Sequence, residues 1–286
     1  QVFCEESMSR HTTFRTGGPA DILVTPKAEQ ISEILALCKE KQIPWTVIGN
    51  GSNLLVGDGG IRGVVLEIGK QMSEISIEGT KITAGAGAML SAIASKAAAQ
   101  ELTGLEFASG IPGSLGGAVV MNAGAYGGEM KDVLTEVTVL TPEGTFLTLP
   151  VAELDLSYRH SIIPERGYLV VSAVLELHPG KAEEIRAVME DLKEKRVSKQ
   201  PLEYPSAGST FKRPEGYFAG KLIQDAGLRG FQVGGAQVSE KHCGFVINRD
   251  HATSADICNL MNQVSEIVFE KFGVRLEAEV KKIGEF

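Results

Sequence analysis

Residues 110–128 read GIPGSLGGAVVMNAGAYGG and combine seven glycines with no charged side chain. Glycine has no Cβ, so its backbone can adopt unusual conformations and approach a neighbouring group closely. The stretch is too long and too apolar for a simple turn. We therefore expect its backbone to lie close to something, either a ligand or another backbone segment against which the glycines pack.

The first glycine segment of the chain, Ile-Gly-Asn-Gly-Ser-Asn-Leu-Leu at residues 48–55, follows a predicted strand, and residues 110–128 form the second glycine segment. Residues 49–54 and 85–90 begin like G-x-G-x-x-G, but each has leucine where the third glycine belongs. Residues 216–222 also depart from a P-loop, which disfavours a kinase or NTPase. Two glycine segments beside a strand pair could hold a pyrophosphate and an aromatic ring, with an ordinary tight turn as the alternative for residues 49–52.

The net charge of −8 disfavours nucleic acid and anionic membranes as partners, because both bind basic surfaces. A small anionic ligand needs only a few local cations. No apolar run approaches the roughly 20 residues that cross a bilayer, and no basic leader precedes an apolar segment. The four cysteines form no C-x-x-C pair and the five histidines show no metal-ligand spacing. We therefore expect a cytoplasmic protein without disulfides or a metal.

Apolar periodicity and turn residues predict an α+β fold. Helices are predicted at residues 28–42, 89–101, 181–195, 217–226 and 254–271. Strands are predicted at residues 45–48, 64–66, 74–78, 81–85, 133–140, 145–149, 168–177 and 274–283. A first lobe is expected to end near residue 70, and the proline-bearing segment 200–205 predicts a second boundary.

Six segments carry a resemblance to one enzyme family. They are the motif His-Thr-Thr-Phe-Arg-Thr-Gly-Gly-Pro-Ala-Asp at residues 11–21 and residues 48–55, 109–128, 157–159, 207–212 and 276–280. In this order and spacing they resemble the motifs of the UDP-N-acetylenolpyruvoylglucosamine reductases (MurB), and the match spans nearly the whole chain. The short separation of Arg159 from Ser209 resembles the type II form, which lacks an extra substrate-capping segment.

The resemblance implies a monomeric bacterial flavoenzyme of peptidoglycan synthesis in the cytoplasm. It implies a two-lobed FAD-binding domain of the vanillyl-alcohol-oxidase (PCMH) type at residues 1–70 and 71–200. A C-terminal α+β substrate-binding domain would follow at residues 201–286. FAD would be bound non-covalently, and NADPH would be the co-substrate.

The family reaction reduces the enolpyruvyl ether of UDP-N-acetylglucosamine to UDP-N-acetylmuramic acid. NADPH reduces FAD, hydride passes from reduced FAD to the vinyl methylene carbon, and a serine protonates the resulting enolate. The resemblance implies that Arg159 stabilises the substrate carboxylate as it gains charge, and that Ser209 donates the proton. The alternatives are a structural ion pair of Arg159 near the Tyr158 ring and a small-residue turn at Ser209.

The catalytic carboxylate is harder to assign. Strand periodicity puts Glu277 and Glu279 on the same non-core face and does not choose between them. The resemblance favours Glu279, which would orient or polarise the intermediate. The alternative for either glutamate is a solvated strand face.

The resemblance also implies binding residues. For FAD they are Gly49, Asn50, Gly51, Ser52, Asn53, Leu54, Ile111, Gly113, Ser114, Asn122, Gly124 and Ala125. For the UDP-sugar they are Lys212, Arg229 and His242, although a structural hydrogen bond is the alternative for the histidine.

Two other functions are compatible with the same residues. One is an FAD-dependent sugar or alcohol oxidase of the same fold, and the other is a non-catalytic nucleotide-sugar binding protein. The Ser209 motif disfavours the oxidase, because an oxidase has no carbanion to protonate.

Overall fold

The computed structural model describes residues 1–286 and contains six α-helices and 18 strands. The helices are α1 (Ala28–Lys41), α2 (Leu90–Ala99), α3 (Leu115–Val120), α4 (Ala182–Lys199), α5 (Ala219–Asp225) and α6 (Ser254–Phe272). The strands are β1 (Val2–Ser7), β2 (Pro19–Val24), β3 (Trp45–Ile48), β4 (Leu54–Val56), β5 (Ile61–Glu67), β6 (Ile75–Glu78), β7 (Lys81–Gly85), β8 (Leu102–Thr103), β9 (Gly124–Ala125), β10 (Gly128–Glu129), β11 (Leu134–Leu140), β12 (Phe146–Pro150), β13 (Leu169–Glu176), β14 (His178–Pro179), β15 (Gln232–Val233), β16 (Ala236–Val238), β17 (Val246–Asn248) and β18 (Lys281–Ile283).

The predicted α+β class is confirmed, and every predicted helix has a counterpart within a few residues. The strand predicted at 274–283 is wrong over most of its length, because only Lys281–Ile283 forms one. Upstream of it, a single bridge joins Ala278 to Phe211. The alternating residues 276–280 therefore make only this one bridge, since no second strand pairs with them.

The chain forms two compact units. Unit 1 comprises residues 1–2, 24–50 and 64–196, and unit 2 comprises residues 3–23, 51–63 and 197–286. The functional boundaries predicted near residues 70 and 200 stay a prediction, because packing alone does not assign a ligand to a segment.

Unit 1 is built on a five-stranded antiparallel sheet with the order β12-β11-β13-β7-β6. Val137 of β11 lies opposite Leu149 of β12 on one side and Ala173 of β13 on the other. The helix α1 buries Ile31, Leu35 and Cys38, whose spacing gives one apolar face. It ends at Gln42, which adopts a left-handed conformation with φ of 54°.

Unit 2 has a buried core that combines residues far apart in sequence. Phe14 and Leu55 belong to the same apolar cluster as Leu260 and Val264 of α6. A three-stranded antiparallel sheet, β15-β16-β17, lies in the same unit. The strand β4, which begins at the end of the first glycine segment, pairs in parallel with β18.

Candidate active site

In unit 1 the start of the first glycine segment, residues 49–50, contacts residues 112–114 of the second glycine segment. The Asn50 side-chain amide donates to the Pro112 carbonyl at 2.7 Å. A Cβ at Gly49 would lie 2.4 Å from the Ser114 hydroxyl oxygen, so only glycine permits this approach. The backbone of residues 49–50 therefore lies in direct contact with residues 112–114.

These segments carry backbone donors that the protein does not use. The N–H groups of residues 49–52, and those of Gly113 and Ser114, donate to no acceptor in the protein. Ser114 is 2% exposed, and its hydroxyl also forms no hydrogen bond within the protein. Consecutive unpaired amides form the kind of concave surface that binds phosphate oxygens. The four consecutive amides of residues 49–52 fit the pyrophosphate of a dinucleotide cofactor.

Other glycines of residues 110–128 serve packing. The Gly116 N–H donates to the Ala86 carbonyl at 2.8 Å, and a Cβ at Gly116 would lie 3.0 Å from the Ala86 side chain. A Cβ at Gly128 would lie 2.6 Å from the Phe107 ring. The packing explanation offered by the sequence therefore applies to these two glycines, and the ligand explanation stays a prediction for the others.

Asn122 is fully buried, and both the nitrogen and the oxygen of its side-chain amide are hydrogen-bonded within the protein. Its nitrogen donates to Glu129 Oε2 at 2.6 Å and to the Ser157 carbonyl at 3.1 Å. Its oxygen accepts from the Lys131 N–H at 2.9 Å. The side chain thus joins the glycine-rich stretch to the segment that carries Arg159, and it has no hydrogen left for a cofactor.

Arg159 lies against the same stretch. Its Nη2 is 3.5 Å from the Gly124 carbonyl oxygen, and its guanidinium lies over the Tyr158 ring at 5.1 Å. The residue has a φ of 56°, a left-handed conformation that is uncommon outside glycine and often found at functional sites.

In unit 2 the proton-donor candidate and the carboxylate candidates lie near one another. Ser209 is exposed, whereas the next residue, Thr210, is fully buried. The Thr210 N–H donates to the Gly244 carbonyl at 2.9 Å, and its hydroxyl oxygen accepts from the Val246 N–H at 2.8 Å. Its carbonyl accepts from the Glu279 N–H at 2.9 Å, so Thr210 links the serine segment to Glu279.

Burial distinguishes the two glutamates that the sequence left equivalent. Glu279 is 9% exposed, and the Asn53 amide donates to its carbonyl at 3.2 Å. The Glu277 carboxylate is exposed and forms an ion pair with Lys212. The expectation that both glutamates share one face is therefore wrong, because the segment is not a regular strand.

The three predicted substrate residues differ in their contacts. Lys212 is held by Glu277, and Arg229 donates to the Glu240 carbonyl and, at 2.8 Å, to Gln224 Oε1. His242 Nδ1 accepts from the Gly244 N–H at 3.0 Å, which leaves the proton of the neutral ring on Nε2.

The electrostatic surroundings of His242 favour its neutral form. Burial lowers the pKa of His242, and the positive charges of Arg229 and Lys199 lower the pKa further. Its ring meets Phe245 edge-on at 5.1 Å between centroids. A neutral imidazole in this position can donate one hydrogen bond from Nε2.

Several other features bear on what the site can hold. No group of three or more His, Cys, Asp or Glu side chains is arranged to bind a metal ion. None of the helices combines the length and apolar character needed to span a membrane. A cavity of about 330 Å³ in unit 2, lined by Tyr204, Lys241 and Arg249 among others, contains none of the predicted site residues.

Comparisons with known proteins decide the family. Residues 200–283 match the family model of the UDP-N-acetylenolpyruvoylglucosamine reductase C-terminal domain, and residues 19–150 match an FAD binding domain model. The UDP-N-acetylenolpyruvoylglucosamine reductase of Agathobacter rectalis is 61% identical, over 99% of this chain and 94% of its own length. The chain belongs to the UDP-N-acetylenolpyruvoylglucosamine reductase family.

Further members of the reductase family agree. The Clostridioides difficile reductase is 54% identical over 98% of this chain and 93% of its own length. The crystal structure of the Thermus caldophilus reductase superposes with a TM-score of 0.84 at 35% identity, covering 99% of this chain and 98% of that one. The family and the fold class predicted from the motifs are confirmed.

Sequence reasoning missed the residues that support the reductase site. Thr210 lies inside the Ala-Gly-Ser-Thr-Phe motif, but no local pattern shows that the threonine is buried and the serine exposed. Asn53 and Asn122 were predicted as cofactor-binding residues without a choice of atoms, and their side-chain amides donate to the carbonyls of Glu279 and Ser157. A polar residue in a glycine-rich segment suits either role, so only the contacts distinguish them.

Proposed function

We propose that this protein is an NADPH- and FAD-dependent reductase that converts the enolpyruvyl ether of UDP-N-acetylglucosamine to UDP-N-acetylmuramic acid for peptidoglycan synthesis. Family membership carries the assignment. The contacts within each unit support it, since Arg159 adjoins the glycine-rich stretch and Thr210 links Ser209 to Glu279.

FAD is assigned to the glycine segments. The unpaired N–H groups of residues 49–52 would hold the pyrophosphate, with Gly113 and Ser114 as further donors. Bound FAD would supply the two electrons for the reduction, which it takes from NADPH. The proposal keeps residues 1–70 and 71–200 as FAD-binding lobes and residues 201–286 as the substrate-binding domain.

Three side chains are assigned to the chemical step. The Arg159 guanidinium would bind the substrate carboxylate, which gains negative charge when hydride adds to the vinyl methylene carbon. Ser209 would then donate its proton to the carbon that bears the carboxylate, and the serine alkoxide would recover a proton from water. Glu279 would orient the intermediate, and its burial strengthens any electrostatic contact that it makes.

Lys212, Arg229 and His242 are assigned to the UDP-sugar. Lys212 and Arg229 already have protein partners, so substrate binding would exchange those partners for diphosphate oxygens. His242 would donate from Nε2 as a neutral ring. The pKa of His242 is lowered by burial, which favours the neutral ring in the protein before substrate binds.

The absorbance spectrum of the purified protein and its oxidation of NADPH test the assignment. We expect a bound flavin, and NADPH consumption that depends on enolpyruvyl-UDP-N-acetylglucosamine. Bound FAD without substrate-dependent consumption would contradict the reductase. Stoichiometric oxygen consumption with a sugar or alcohol would instead favour the oxidase, and a colourless protein that binds UDP-sugar would favour the binding protein.

The Ser209→Ala variant tests the proton donor. Its flavin should be reduced by NADPH at nearly the normal rate, whereas reoxidation by the enolpyruvyl substrate should slow by about 10²- to 10⁴-fold, the usual contribution of a general acid. Stopped-flow absorbance measures both half-reactions. Ser206→Ala, in the same segment, is the control, and equal losses in both half-reactions of the Ser209 variant would mean that the serine is structural.

The same proposal includes a cytoplasmic monomer that binds neither nucleic acid nor membranes. The net charge of −8 supports the absence of both partners. Light scattering during size-exclusion chromatography would measure the mass, and a dimer mass at micromolar concentration would contradict the monomer.

A further inference from the structure

Arg196 lies in the last turn of α4, against the beginning of the uncharged glycine-rich stretch. A Cβ at Gly110 would lie 3.2 Å from Arg196 Cδ and 3.4 Å from its Nη1. The arginine therefore rests on the backbone next to Ile111 and Gly113, two residues assigned to FAD. Gly110 permits this contact because it has no side chain.

The guanidinium has no anionic partner in the protein. It is half-buried, no carboxylate lies within 4.0 Å, and no hydrogen bond joins it to the protein. Burial lowers the pKa of the Arg196 guanidinium, although an arginine stays charged throughout the physiological range. A partly desolvated cation without a counter-charge is unfavourable, so a ligand anion would stabilise it.

Three other cations of α4, namely Arg186, Lys193 and Lys195, differ. Lys193 is paired with Glu190 at 2.9 Å, and Lys195 with Asp191 at 2.6 Å, all on the exposed surface of the helix. Arg186 is exposed on the same helix. Among these four side chains, only Arg196 lies against the glycine-rich stretch, at Gly110.

We propose that Arg196 binds an anionic group of the flavin dinucleotide, an inference that rests on the proposed function. Residues 110–128 carry no charge of their own, so their backbone offers only partial charges to an anion. Two groups of FAD share the required chemistry. One is the pyrophosphate, and the other is the edge of the isoalloxazine ring that becomes negative on two-electron reduction.

The test compares Arg196→Gln, Arg196→Lys and the control Arg186→Gln, each freed of flavin and titrated with FAD. If the anion is the pyrophosphate, Arg196→Gln should raise the Kd of oxidised FAD by about 10- to 100-fold and leave the midpoint potential unchanged. If it is the reduced ring, the Kd of oxidised FAD should change little. A tenfold weaker preference for reduced flavin would then lower the potential by about 30 mV.

Arg196→Lys keeps the charge but loses the planar fork, so it should recover much of the loss and should fold if Arg196→Gln does not. Either pattern supports the proposal. Values for both Arg196 variants within twofold of wild type, with Arg186→Gln also unchanged, would overturn it while leaving the reductase assignment intact. Failure of the wild-type protein to bind FAD would overturn both.

Discussion

At the scale of single residues, Thr210 connects three other parts of unit 2. Its N–H, hydroxyl and carbonyl each join a different residue, namely Gly244, Val246 and Glu279. Because Thr210 is fully buried, its neighbour Ser209 is presented to solvent at a fixed position. The assignment of Ser209 as the proton donor stays a prediction. The motif could not show that the Thr210 hydroxyl holds the segment, since Ser and Thr offer the same hydrogen-bonding groups.

The glutamates give the sharpest residue-scale prediction. Glu279→Gln should lower kcat by about 10²-fold or more, because a buried charge that acts on an intermediate is lost. Glu277→Gln should stay within about threefold, since exposed ion pairs such as Glu277 with Lys212 contribute little. Steady-state kinetics of the two variants measures both effects, and the reverse ranking would exclude Glu279 as the catalytic carboxylate.

His242 gives a pH prediction. The lowered pKa means that the unfolded chain binds this proton more readily than the folded protein does. The contribution to stability is therefore fully present above about pH 6.5, the ordinary histidine value, and decreases as the pH falls toward the folded pKa. NMR titration of the His242 ring should give a midpoint below the ordinary value. A midpoint at or above it would show that the ring is solvated.

At the scale of elements, α6 depends on a residue outside its own sequence. The Ser254 and Ala255 N–H groups donate to the Asp58 carboxylate at 2.8 and 2.9 Å, and the hydroxyl of the N-cap residue Thr253 accepts from the Asp256 N–H at 3.0 Å in the same first turn. Asp58 lies two residues after the end of β4, so the helix start is joined to the strand that leaves the first glycine segment. An acidic group at this end also interacts favourably with the helix dipole.

Removing that carboxylate should destabilise unit 2. We expect Asp58→Ala to lower the free energy of unfolding by about 1–2 kcal/mol, the usual cost of a lost N-terminal cap. Urea denaturation measures it, with the exposed Asp250→Ala as control. A loss no larger than that of the control would mean that Thr253 alone caps the helix.

The elements also show where sequence patterns succeed and fail. The helices α1 and α6 were predictable because their apolar residues recur at helical spacing and α1 ends before Pro44. The strand at 274–283 was not, because alternation from Leu276 to Val280 does not reveal that the partner segment around Phe211 supplies a single bridge. Strand formation depends on a neighbouring strand, and the periodicity of one segment contains no information about that partner.

At the scale of the whole molecule, the motifs predicted the family but not the path of the chain. The division between the units falls after residues 2, 23, 50, 63 and 196, so it cuts the first glycine segment between Asn50 and Gly51. Composition changes little at these points. A boundary set by long-range packing leaves no local signal, whereas a loop rich in proline, such as residues 200–205, suggests one.

FAD should stabilise the folded protein as a whole. At 100 times its Kd, FAD is expected to add about 2.7 kcal/mol and raise the melting temperature by several degrees. Gly51→Ala should abolish this shift, because its φ is 61° and its Cβ would lie 2.0 Å from the His11 carbonyl oxygen. Gly79→Ala, with the same φ but no neighbour within 4 Å, should retain the shift. A full shift in the Gly51 variant would exclude residues 49–52 as the cofactor loop.

The interrupted path of unit 2 has a consequence during synthesis. Phe14 and Leu55 leave the ribosome before the 133 residues from 64 to 196, yet their partners in α6 follow those residues. Leu260 follows Leu55 by 205 residues, so at about 5–20 residues per second roughly 10–41 s pass before this partner is made. The apolar side chains of the nascent chain stay uncovered for that time. Chaperones that shield apolar segments should therefore affect the yield of this protein more than that of one whose units are each continuous in sequence.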